Sequence, residues 1–217
     1  TMAQNKLFND TLEGGGKEAT AVNFNTDKDY GGSSGFQTGS TYKIMALLAW
    51  LQSGRGLNEL VNASDFKKDQ AKYVDTCEDS GAPYGGVWEF KNDSAAPEIV
   101  NVLDAVKWSI NSAFASIAEQ LDQCDIRHAA ESLGVHRADG TTLQSNPSAV
   151  LGTNELAPLT MAAAWAGISN DGEFCDTIIL DHAVGPNGEE LPGQAESCRQ
   201  AIDPDVRQDR RQTAGID

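Results

Sequence analysis

Eight consecutive residues, Ile44-Met45-Ala46-Leu47-Leu48-Ala49-Trp50-Leu51, are all apolar. Ile44, Leu47, Leu48 and Leu51 recur at i, i+3, i+4 and i+7, which is one face of a helix. The positions between them are apolar as well. The pattern therefore predicts a helix buried nearly all round, over about Ser40 to Ser53. Gly54 follows, as glycine commonly does just past a helix end. At the mouth of this helix stand Ser40 and Lys43, in Gly39-Ser40-Thr41-Tyr42-Lys43, three residues apart and so on one face. Helix N–H groups favour negative charge at Ser40. A partly desolvated Lys43 amine can lose its proton near neutral pH. Together they are the minimum of an activated nucleophile. Ser-x-x-Lys is short, however, and the same residues also read as a capping serine followed by a lysine pointing to water.

A chain of 217 residues is long enough for one domain with a sizeable core, or for a domain and a half. The 32 acidic residues against 16 Lys and Arg give a formal charge of −16. That argues against nucleic acid, whose binding depends on cations neutralising phosphates, and against an anionic membrane surface. No apolar run reaches the length of a membrane span, and no signal peptide opens the chain. A membrane anchor, if there is one, is expected outside this sequence. The acids are mostly scattered, as on a solvated surface, and Asp65, Lys67 and Lys68 read as part of one.

Four cysteines are present: Cys77, Cys124, Cys175 and Cys198. None forms Cys-x-x-Cys, and no histidine lies near at ligand spacing, so no zinc site or other metal is expected. His128, His136 and His182 receive no role, and no cofactor is implied. An even count allows two disulfides. Cys175 and Cys198 bracket a turn-rich segment and are paired on that ground, leaving Cys77 with Cys124. Bridges would imply an oxidising compartment, whereas four buried thiols would suit a reducing one.

Along the chain, Met2-Ala3-Gln4 reads as the tail of a strand, and Gly14 to Gly39 as a long loop rich in Gly, Ser, Thr, Asn and Asp. Asn62 to Ala96 is polar and irregular, with a short strand where Val87, Trp88, Glu89 and Phe90 alternate. Leu103, Val106, Ile110, Phe114, Ile117 and Leu121 form a helical stripe. Ser109-Ile110-Asn111-Ser112 interrupts it, since these polar residues bond the backbone and favour a turn between two helices. A further helix is expected from an N-cap at Asp125 to Gly134. An Ala-rich helix is expected from Pro158 to Asn170, with Gly172 beyond its end. Thr177 to Val184 has strand character, Pro186-Asn187-Gly188 is a turn, and Asp203-Pro204-Asp205-Val206 reads as a helix start.

Ser40-x-x-Lys43 on a buried helix, with Ser109-x-Asn111 in an interhelical turn further on, resembles the transpeptidase domain of penicillin-binding proteins. Gly39-Ser40-Thr41-Tyr42-Lys43 resembles the family's Pro-Gly-Ser-Thr-Phe-Lys segment, with Thr38 in place of proline. Ser109-Ile110-Asn111-Ser112-Ala113-Phe114 resembles its Ser-x-Asn-Thr-x-Phe. Leu151-Gly152-Thr153 and Pro158-Leu159-Thr160-Met161-Ala162 resemble the approach to a later helix. Met2-Ala3-Gln4-Asn5 resembles the end of an early sheet strand. The likeness runs from about Thr1 to Val206 and is closer to the bifunctional, class A members than to small β-lactamases.

The resemblance implies an α/β fold of the penicillin-binding-protein and serine β-lactamase kind, mainly its helical lobe with part of the antiparallel sheet. It implies that 1–217 is a partial transpeptidase domain with no glycosyltransferase region. The family's third motif, Lys-Thr-Gly on a strand, is missing: Thr213-Ala214-Gly215 leads only to Ile216-Asp217. The activity implied is D,D-transpeptidation of peptidoglycan stem peptides ending in D-Ala-D-Ala, at the extracytoplasmic face of a bacterial cell envelope, with β-lactams acylating the serine. Ser40 would be the nucleophile and, through its N–H, an oxyanion donor. Lys43 would be the base, Ser109 the proton relay, and Asn111 the residue that binds the substrate amide. A β-lactamase or D,D-carboxypeptidase would instead deliver water to the acyl-enzyme. Glu155, the acid nearest the right region, reads only as a loop residue. A non-catalytic remnant or interaction module is the remaining alternative.

Overall fold

The computed structural model describes residues 7–8, 19–78 and 84–207. The strand tail expected at Met2-Ala3-Gln4 and the terminal Thr213-Ala214-Gly215 lie outside them. The described part of the long N-terminal loop is mostly irregular. It holds strand β2 (Ala19–Thr20), parallel to β1 (Leu7–Phe8), one helical turn α1 (Lys28–Gly31) and the short strand β3 (Phe36–Gln37).

A 3-10 turn over Gly39–Tyr42 leads directly into α2 (Lys43–Gln52). Tyr42, Met45, Ala46, Ala49 and Trp50 are buried, as an all-apolar helix requires. Gly54 takes the left-handed conformation just beyond the end, at φ 83°.

The stretch expected to be irregular is better ordered than its composition suggests. β4 (Leu60–Asn62) and β5 (Lys67–Asp69) are followed by β6 (Val87–Glu89) and β7 (Ile99–Asn101). β5 pairs with β6, and outside them β4 pairs with β7, both antiparallel. Trp88 packs edge-on against the buried Tyr73, ring centroids 6.2 Å apart. Strand alternation turns Lys67 and Asp69 outward and Lys68 inward. Lys68 is only 6% exposed. Its ammonium meets Glu119 at 2.6 Å and Asp65 at 3.3 Å. The reading of Asp65, Lys67 and Lys68 as a solvated face is thus corrected: Lys68 is a buried, paired cation.

The interrupted stripe gives two helices, α3 (Val102–Lys107) and α4 (Asn111–Glu119), with Phe114 and Ile117 in the core. Helix α5 (Gln123–Ser132) is capped by Asp122, not Asp125, because the Asp122 carboxylate accepts the Cys124 N–H. A 3-10 turn at Pro147–Leu151 lies against α4 and against the Gly39–Tyr42 turn. Strand β8 (Glu155–Leu156) pairs with β3, so Glu155 sits in a ladder rather than a loop. Helix α6 (Pro158–Ser169) begins with proline, where a missing N–H costs nothing.

Next come β9 (Glu173–Cys175), β10 (His182–Val184), β11 (Glu190–Pro192) and β12 (Cys198–Gln200). β10 and β11 form a hairpin around the expected turn, and β9 pairs with β12. Only the end of the Thr177–Val184 stretch is strand. The helix start at Asp203 gives just a 3-10 turn, Pro204–Arg207. The result is an α/β fold with α2, α4 and α5 packed at its centre and two-stranded sheets around them, five antiparallel and one parallel among the described residues.

Cys175 is bridged to Cys198, its direct partner across β9 and β12, and Cys77 to Cys124 at the start of α5. One reading of the cysteines is corrected: a histidine does lie close. His128, one turn after Cys124, holds Nε2 3.7 Å from each sulfur of the Cys77–Cys124 bridge. The sulfurs are bonded to each other, which leaves no thiolate there to ligate an ion.

Candidate active site

The 3-10 turn before α2 controls how Ser40 and Lys43 are presented. Side chains three residues apart eclipse in that geometry, and the Lys43 N–H donates to the Ser40 carbonyl. Ser40 is exposed and is not a cap: the N-cap positions of the turn and of α2 fall at Thr38 and Tyr42. Lys43 is 4% exposed. The alternative of a capping serine with a solvent-facing lysine is therefore not what the chain adopts.

All three protons of the Lys43 ammonium are engaged. Nζ donates to the Ser109 carbonyl at 2.6 Å, to Ser109 Oγ at 3.0 Å and to Asn111 Oδ1 at 2.6 Å. The Phe114 ring centroid lies 5.4 Å from the same nitrogen, an orientation that favours a cation. Burial acts the other way and dominates. It lowers the Lys43 pKa from 10.5 to about 8, with the charge of Asp93 opposing the fall. Ser40 Oγ is not among the hydrogen-bond partners of Lys43; the amine is shared within the 109–111 turn instead.

That turn is conformationally unusual. Ser109 has φ 51°, the left-handed region that a residue with a Cβ enters at a cost of order 1 kcal/mol. The conformation turns both its carbonyl and its hydroxyl toward Lys43. Asn111, the first residue of α4, uses both ends of its amide. Oδ1 accepts from Lys43, while Nδ2 donates to the Lys91 carbonyl at 2.7 Å.

The segment Phe90–Asp93 runs beside the site as a strap, which sequence reasoning missed. Asn92 fixes it by two bonds to α4: Nδ2 donates to Ser112 Oγ, and Oδ1 accepts the Ser112 N–H, both at 2.9 Å. Ser112 Oγ in turn donates to the Ala63 carbonyl next to β4. Asn92 and Ser112 are ordinary polar residues of a loop and a helix start, so only the tertiary pairing identifies them. A cleft of about 830 Å³ opens along the strap, walled by Phe66, Glu89, Phe90, Lys91, Asp93 and Ala96.

From the other side, Gly152 supports the Ser40 turn. Its carbonyl accepts the Gly39 N–H at 3.1 Å, and its φ of 87° is left-handed. A Cβ on Gly152 would collide with the Gly39 backbone. Glu155 is close in sequence but committed elsewhere, to Arg137 at 3.3 Å.

The sequence over residues 1–212 matches the family model of the penicillin binding protein transpeptidase domain. Penicillin-binding protein 1A of Mycolicibacterium smegmatis is 24% identical over 189 residues, covering 82% of this chain and 21% of that protein. Penicillin-binding protein 1A of Aquifex aeolicus is 25% identical over 163 residues, covering 72% of this chain and 22% of that protein. The chain therefore spans only about a fifth of the length of these relatives. The penicillin-binding protein PonA1 of Mycobacterium tuberculosis superposes with a TM-score of 0.63 at 25% identity, over 79% of this chain and 44% of that one. Penicillin-binding protein A of the same organism, solved as its penicillin G acyl-enzyme complex, has a TM-score of 0.63 at 19% identity. It covers 84% of this chain and 43% of its own, and shares the fold. With the matched fold and the family model spanning nearly all of its length, the chain belongs to the penicillin-binding protein transpeptidase domain family.

Proposed function

We propose that this chain carries the acylation site of a serine D,D-transpeptidase acting on peptidoglycan stem peptides in a bacterial cell envelope, and that β-lactams acylate the same serine. The observation that carries the proposal is the buried Lys43 amine, its pKa lowered to about 8 and held by Ser109 and Asn111. A lysine in that state keeps a neutral fraction at physiological pH, which an exposed lysine lacks.

In the proposed reaction, neutral Lys43 takes the proton of Ser40 as Oγ attacks the carbonyl of the penultimate D-Ala. A tetrahedral oxyanion forms and collapses to an acyl-serine ester. The terminal D-Ala leaves as an amine after receiving a proton, relayed from Lys43 through Ser109 Oγ, 3.0 Å away. The cleft along the Phe90–Asp93 strap holds the donor stem, and Asn111 meets its amide by exchanging the Nδ2 bond to the Lys91 carbonyl for one to the substrate. The amine of a second stem then attacks the ester, restoring Ser40. The engagement of Glu155 with Arg137 gives no support to its activating water, so the β-lactamase alternative has no base among the residues considered for it.

Incubation with a fluorescent penicillin, followed by intact-mass and peptide mapping, tests the proposal. A single covalent adduct on Ser40, absent in Ser40→Ala, is expected. No adduct at millimolar penicillin from a folded chain would leave the non-catalytic reading standing.

A further inference from the structure

Both disulfides have acids nearby, Asp75 Oδ1 accepting the Cys77 N–H at 3.0 Å among them, but they differ in what lies against the sulfurs themselves. Cys77–Cys124 has the His128 ring against it, Nε2 3.7 Å from both sulfurs and Nδ1 3.9 Å from that of Cys124. Cys124 is also the second residue of α5, at the helix end whose dipole favours a thiolate. Against these stand Asp122 and Asp125 in the same turn. The Asp122 carboxylate is occupied, accepting the N–H groups of Thr76 and Cys124 at 3.0 and 2.9 Å. Cys175–Cys198 has no such help. Cys198 Sγ lies 3.6 Å from Glu196 Oε1, and Asp176 follows Cys175 directly, with Arg199 pairing with Asp176 at 3.5 Å.

We infer that Cys77–Cys124 with His128 is a thiol-exchange site, opened and reclosed by small thiols or a dithiol reductant, while Cys175–Cys198 is a structural staple. The incoming thiolate attacks Sγ of Cys77, the more accessible sulfur of a pair whose other member is buried. A mixed disulfide forms there, and the S–S electron pair leaves on Cys124. His128 stabilises that thiolate and supplies its proton. A second thiolate then attacks the reductant's sulfur in the mixed disulfide and displaces Cys77. Two reductant thiols become one disulfide, and the protein gains two electrons and two protons.

The loop bearing Cys77 does not depend on the bridge alone. Gln123 N–H donates to the Val74 carbonyl, Thr76 N–H to Asp122, and Tyr84 hydroxyl to Asp75 at 2.6 Å. These bonds hold the two cysteines near each other after reduction, which makes reclosure fast. Accessibility alone predicts the reverse order of opening, because Cys198 is exposed. The two accounts therefore make different predictions.

The test uses the oxidised, folded chain, graded dithiothreitol, an alkylating quench and peptide mass spectrometry. Cys77 and Cys124 are expected to be alkylated first, on the order of tenfold faster than Cys175 and Cys198. His128→Gln is expected to slow opening of Cys77–Cys124 by about three- to tenfold while the Cys175–Cys198 rate stays unchanged. The inference is overturned if Cys175–Cys198 opens first or at the same rate. It is equally overturned if His128→Gln leaves the Cys77–Cys124 rate unaltered, or shifts both rates together as general loosening would.

Discussion

If Lys43 is the base for Ser40, acylation must follow its titration. With the pKa lowered to about 8, the neutral fraction is about 1% at pH 6, about 10% at pH 7 and about half at pH 8. The second-order rate of penicillin acylation should rise about 50-fold from pH 6 to pH 8 and level off above pH 9. Burial favours the neutral amine, and the Asp93 carboxylate favours the ammonium. Asp93→Asn removes the second effect alone, so its profile should keep its shape and shift to lower pH. Direct titration of Lys43 by ¹³Cε NMR should show the same two midpoints without reference to activity. The stability sign is also fixed. Lys43 holds its proton less tightly folded than unfolded, so burial destabilises the fold below pH 8, and the penalty is relieved as pH rises from about 8 toward 10.5. An acylation rate flat from pH 6 to 9, or a Lys43 midpoint near 10.5, would refute the assignment. So would an Asp93→Asn profile shifted upward.

Other consequences follow from single contacts. Gly152→Ala drives a Cβ into the Gly39 backbone at a left-handed position, so penicillin labelling of Ser40 should fall at least tenfold while far-ultraviolet circular dichroism stays native-like. Ser112→Ala leaves the Ala63 carbonyl and the Asn92 amide without their shared partner. It should cost about 1–3 kcal/mol in urea unfolding and speed amide exchange along Phe90–Asp93. Lys68→Met leaves Glu119, 22% exposed, with only Lys72 at 3.9 Å among its described cation partners. A loss of about 2 kcal/mol is expected, discounted for that residual exposure and partly recovered by adding Glu119→Gln.

The elements legible in the sequence are those whose signal is local. Helix α2 announces itself through eight apolar residues, and the α3–α4 break through polar residues that interrupt an apolar stripe. The choice between Asp122 and Asp125 as the α5 cap could not be read locally, since both are good caps. It is decided by Thr76, a residue 46 positions away that also donates to Asp122. Lys68 was unreadable for a similar reason: a three-residue strand is too short to show its alternation, and the partner acid lies 51 positions on. Ser109 is the sharpest case. Its place in a turn is written in the sequence, but its left-handed backbone is not. Glycine would adopt that conformation at less cost, yet would lose the hydroxyl that meets Lys43. A serine kept at φ 51° gives one buried ammonium two acceptors from a single residue, the carbonyl and Oγ, and Asn111 supplies the third. A desolvated amine needs that full set, because any proton left without an acceptor in the core would push the lysine further toward neutrality. The strained serine therefore completes the set of acceptors around the Lys43 amine, whose pKa burial lowers to about 8 against the opposing charge of Asp93.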